Sequence, residues 1–118
     1  TKIKLSNLKK SLNEYKNAMS VFDRLMIFKH LFNSLELATN WDGVDRKGSD
    51  LDNEVVKISM LQTSEMCNWR EFYNRTKHID RTPIDLRTFI TGIESLPSFL
   101  KPIRLAVETM IIDRLKLL

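Results

Sequence analysis

Trp69-Arg-Glu-Phe-Tyr-Asn-Arg-Thr-Lys-His-Ile-Asp-Arg81 is the stretch whose reading decides the fold. At 100° per residue, Trp69, Phe72, Tyr73, Thr76 and Ile79 fall on one side of a helix. Arg70, Asn74, His78 and Arg81 fall near the opposite side, with Lys77 on the margin and Cys67 at the upstream end. A helix this short is stable only when its apolar face docks on other elements. Docking predicts an outward row of guanidinium, amide and imidazole groups, with the remaining chain as its scaffold.

Helical spacing continues outward from this stretch. Downstream, Thr82-Pro-Ile-Asp85 reads as a helix start, with Thr82 capping, Pro83 in the first position and Asp85 reaching back to free amides. Leu86, Phe89 and Ile93 carry that segment to about Gly92, residues 94–97 read as a turn, and a last helix from Ser98 or Lys101 runs to Leu118. Upstream, Ser49 or Asp50 is expected to cap a helix with Leu51, Val55 and Ile58 in line, ending near Leu61. Thr63 and Ser64 then form a turn before the opening helix, expected from Glu65 to about Ile79.

The run 40–50 holds two glycines among Asp and Asn and reads as a connection, packed down by Trp41. Its Asp42, Asp45 and Asp50 lack calcium-loop spacing and the terminal glutamate, so no metal is expected. From Val21 to Thr39 the apolar residues cover roughly 160° of the wheel, which predicts several neighbours or a second subunit. Ser20-Val-Phe-Asp23 resembles a capping box with Asp replacing Glu, and the break near Met19 and Ser20 reads as a kink, or the two segments read as one continuous helix. Leu5, Leu8, Leu12 and Tyr15 mark a first amphipathic helix over 6–18, with lysines on its other face.

The chain has 118 residues, room for one core. With only three Gly and three Pro, long helices are favoured over many hairpins. An all-α bundle of five or six helices in a single domain over 1–118 is therefore expected. The lone Cys67 rules out an internal disulfide and a multi-cysteine zinc site. No apolar run approaches a membrane span and no signal peptide is recognisable, so a cytoplasmic location is expected. A net charge of +4 favours an anionic partner: RNA, a nucleotide or an acidic protein.

The simplest chemistry for the basic row is metal-independent RNA cleavage, without a cofactor. His78 titrates in the range needed to move a proton, Arg70 and Arg75 suit phosphate geometry, and Asn74 can orient either the imidazole or a phosphate oxygen. Tyr73, Lys77, Arg81 and His30 are candidate substrate contacts, His30 joining from a neighbouring helix or a second copy completing the site. A non-catalytic basic groove and a merely solvated helix face are the alternatives.

Tyr73-Asn-Arg-Thr-Lys-His78 resembles the signature of the HEPN superfamily, in which an arginine and a polar residue, often asparagine, precede a histidine after a short gap. Asn74 and His78 match the asparagine and histidine positions, and Tyr73 stands where the family has arginine. The resemblance implies a compact, frequently homodimeric bundle that cleaves or binds RNA in prokaryotic defence or toxin–antitoxin systems. An antitoxin-like protein partner is implied with it.

Overall fold

A computed structural model describes residues 1–77 and 85–118. Among the described residues five helices follow one another: α1 (Lys2–Met19), α2 (Arg24–Thr39), α3 (Ser49–Ser59), α4 (Thr63–Lys77) and α5 (Leu86–Lys116). Among the described residues there is no strand, as the spacing predicts, and together the helices form a compact bundle. No described helix is long and apolar enough to cross a membrane. The expected helix start at Thr82 and Pro83, together with His78, Ile79 and Arg81, lies outside the described residues.

α1 and α2 form an antiparallel hairpin, because Asn7 donates to the Trp41 carbonyl, Ser11 meets Ser34 and Glu14 meets His30. The serines make close approach possible: Ser11 Oγ lies 2.8 Å from the Ser34 carbonyl, and Ser34 Oγ lies 2.7 Å from the Ser11 carbonyl. Both are buried, and the reciprocal bonds satisfy their hydroxyls inside the core. The turn differs from the capping box expected at Ser20. Ser20 closes α1 by donating to the Lys16 and Asn17 carbonyls, and Asp23 itself caps α2 by accepting from the Leu25 amide.

Phe28, Leu31, Phe32 and Leu35 of α2 meet Trp69, Phe72 and Tyr73 of α4 and Ile103, Val107 and Met110 of α5 in one core. The wide apolar arc of α2 is thus used against several neighbours. Trp41 is buried as expected, between Lys4 Nζ at 4.9 Å and the Arg114 guanidinium at 5.3 Å from its ring. Arg114 caps the end of α2 by donating to the Ala38 and Thr39 carbonyls, each at 3.1 Å.

Further boundaries depart from expectation: α1 begins at Lys2 rather than at residue 6, and α4 takes in Thr63 and Ser64, expected to form a turn. α3 is entered from Gly48 and ends at Met60, which adopts the left-handed conformation at φ 63°. The expected turn over 94–97 is absent, and α5 runs unbroken through Pro97 and Pro102. Each proline withholds an amide from the preceding turn. Burial of Leu96, Ile103, Ala106 and Val107 along the same helix favours continuity over the local preference.

Candidate anion-binding groove

α4 packs where its apolar positions direct it: Met66, Trp69, Phe72, Tyr73 and Thr76 are all buried. Phe72 lies against Gly92 of α5, and a Cβ added to that glycine would come within 2.4 Å of the ring. The missing side chain therefore sets how closely α4 and α5 approach. Phe72 also packs edge-on against Phe28 at 5.3 Å and Phe99 at 6.1 Å, which fixes its ring.

Above this contact, α4 and α5 enclose a groove of about 420 Å³. Phe72 and Phe99 form an apolar floor, while Asn68, Glu71 and Arg75 rise from α4 and Arg87, Thr88, Thr91 and Ser95 from α5. The hydroxyl protons are committed along the helix: Thr91 donates to the Arg87 carbonyl, Ser95 to the Thr91 carbonyl and Thr88 to Asp85. The strong donors are thus the two guanidiniums. Arg75 is half-exposed, and among the described residues it pairs only with Glu71, at 4.0 Å and one turn earlier. Arg87 is exposed, and among the described residues no carboxylate pairs with it. Asp85 is occupied in capping α5; the Thr88 hydroxyl and the Arg87 amide hold its carboxyl below the usual range, with Arg75 adding a smaller pull.

The expected row on α4 divides. Arg75 enters the groove and Asn74 is exposed. Arg70 turns instead toward α3, where its Nε lies 2.9 and 3.0 Å from the two carboxylate oxygens of buried Asp52. That hydrogen bond is the main reason its guanidinium is held above its ordinary pKa. Tyr73 stacks on Phe32 at 4.4 Å and donates its hydroxyl proton to Asn33. Burial above all, then Glu36 and Glu14, pushes Tyr73 up to about 12, so it keeps its proton at neutral pH. Lys77 is exposed with its ammonium 5.8 Å from the Tyr73 ring.

His30 lies on the α1–α2 seam, its Nδ1 2.6 Å from Glu14. Glu14 borders a separate recess with Asn33 and Glu36, so His30 is not joined to Arg75. Cys67 is raised above its ordinary pKa by desolvation first and by Glu71 next, the opposite of an activated thiolate. In the Asp-rich connection, Asp42 is gripped by both terminal nitrogens of Arg46 at 3.0 Å. Among the described residues, no group of three or more His, Cys, Asp or Glu side chains is placed to hold a metal.

Arg87 and Phe99 are among the groove residues that spacing alone did not single out. Arg87, Thr91 and Ser95 recur every four residues, and of the three only Ser95 falls in the turn expected over 94–97. No protein-family model, curated protein or solved structure matches the chain.

Proposed function

We propose that the chain binds single-stranded RNA in the α4–α5 groove, with phosphates on Arg75 and Arg87 and a base against the Phe99 floor. The observation that carries this reading is the meeting, in one recess of about 420 Å³, of two accessible guanidiniums over an aromatic floor. Guanidinium matches phosphate bidentately, and an aromatic face accepts any base. The net charge of +4 adds a long-range attraction to a polyanion. The spacing of Asn74 and His78, similar to that of HEPN domains, favours RNA over other polyanions.

Cleavage is the stronger form of this proposal and rests on His78. Among the described residues the groove has no histidine, and Glu71, its carboxylate, faces Arg75. If His78 moves a proton, Arg75 and Arg87 supply the charge that steadies the phosphoryl oxygens, while Arg70 stays with Asp52.

Anisotropy titration of a labelled mixed-sequence RNA in chelator tests binding. Reversing both charges, in an Arg75→Glu and Arg87→Glu double variant, is expected to weaken it by about tenfold or more at moderate salt. Equal affinity of wild type and double variant would refute the groove as the binding site. Gel analysis of the same mixtures tests cleavage, which should vanish in His78→Ala while binding persists.

A further inference from the structure

The turn between α1 and α2 bears a second surface that RNA binding leaves unused. Phe22 at its tip is 100% exposed, flanked by exposed Met19 and Met26. An aromatic side chain left in water forgoes the stabilisation of burial. Beside it lies a groove of about 380 Å³, floored by Val21, Ile27, Leu31 and Leu100 and rimmed by Lys101 and Arg104. Among the described residues no carboxylate lines this groove.

We infer that this groove docks an acidic amphipathic helix from a partner protein. Its lining asks for an apolar ridge, and its rim asks for carboxylates beside that ridge. Lys101 is exposed, and among the described residues it enters no ion pair. Arg104 uses Nε for Tyr15 and Glu108, while its terminal nitrogens have no partner among the described residues. The nearby carboxylates are occupied: Asp23 caps α2, and Glu108 accepts from Tyr15 and Arg104.

Other occupants fit less well. A second copy using this face around a two-fold axis would set one cationic rim against another. A flat lipid surface would cover Phe22 but leave half-buried Val21, Ile27 and Leu100 unfilled in their recess. A helix ridge, with apolar residues at i, i+3 or i+4 and i+7, fills such a recess.

The probes are two labelled synthetic helices of about sixteen residues. They share one leucine ridge, flanked by glutamates in one peptide and by lysines in the other. Titrated with the intact chain, the glutamate-flanked peptide is expected to bind at least about tenfold more tightly. Val21→Glu and Lys101→Glu should each weaken it by about tenfold, with unchanged helical circular dichroism. The double variant at Arg75 and Arg87 should bind it as the wild type does, so failure of the RNA reading leaves this result standing. Should Val21→Glu not fold, Lys101→Glu, at an exposed position, decides alone. Binding indifferent to flank charge or to Lys101→Glu would overturn the inference. Self-association abolished by Val21→Glu, or attachment to phosphatidylserine vesicles without peptide binding, would also overturn it.

Discussion

Arg70 shows how little a wheel position says about a cation. It belongs to the outward row with Asn74, yet its guanidinium is held by Asp52, a buried carboxylate from another helix. Removing the arginine strands that carboxylate, and breaking such a pair costs about 2–4 kcal/mol. Arg70→Ala is therefore expected to lower the midpoint of urea denaturation clearly, whereas Arg75→Ala, at a half-exposed side chain, should leave it nearly unchanged. Equal midpoints would show that the Asp52 pair contributes nothing. Loss of RNA binding in Arg70→Ala carries meaning only beside that stability measurement.

Asp42 gives a pH dependence with a defined sign. The Arg46 guanidinium lowers its carboxyl from 3.8 to about 2. A folded-state value below the unfolded one favours the native state above pH 4, and the gain fades as pH falls toward 2. Partial exposure limits the pair to about 1–2 kcal/mol. In Arg46→Met, stability should be lower at pH 6 and converge on the wild type near pH 2. A constant difference across that window would assign the loss to packing rather than charge.

At the scale of elements, apolar spacing located the core face of α4 but not of α1, where Leu8 is buried while Leu5 and Leu12 of the same expected stripe are exposed. Trp69, Phe72, Tyr73 and Thr76 are buried, as a helical reading of their spacing requires. The turn expected over 94–97, after a segment ending near Gly92, is absent, and burial on both sides of Pro97 keeps α5 whole. Arg87 and Thr91 lie on the expected helix, and the expected turn removes only Ser95 from its face; what spacing did not show is that this face meets Arg75 of α4. Pairings such as Asp52 with Arg70 or Ser11 with Ser34 depend on how distant helices cross, which local spacing does not encode.

Gly92 tests that crossing. A methyl group there would meet the Phe72 ring at 2.4 Å, and the ring is held by Phe28 and Phe99. Alanine is the better helix former, by about 1 kcal/mol over glycine, but forced overpacking costs about 1–3 kcal/mol. Gly92→Ala should therefore be neutral to destabilising by up to about 2 kcal/mol in denaturant titration, whereas an open helical site would gain. Stabilisation by about 1 kcal/mol would mean that α4 and α5 do not meet at this contact.

For the whole molecule, the bundle brings together cations that lie far apart in sequence and separates others that lie close. Arg75 and Arg87 share a groove, Arg70 and Arg114 support the helix framework, and Lys101 and Arg104 rim a second recess. The chain has only three glycines, and their amide signals in a nitrogen–proton correlation spectrum provide reporters at different places. Gly92 borders the α4–α5 groove, while Gly43 and Gly48 lie in the connection between α2 and α3. Titrating the labelled protein with single-stranded RNA should move the Gly92 signal progressively to saturation and leave Gly43 and Gly48 in place. A stationary Gly92 signal under saturating RNA, with shifts confined to other parts of the chain, would contradict binding in this groove.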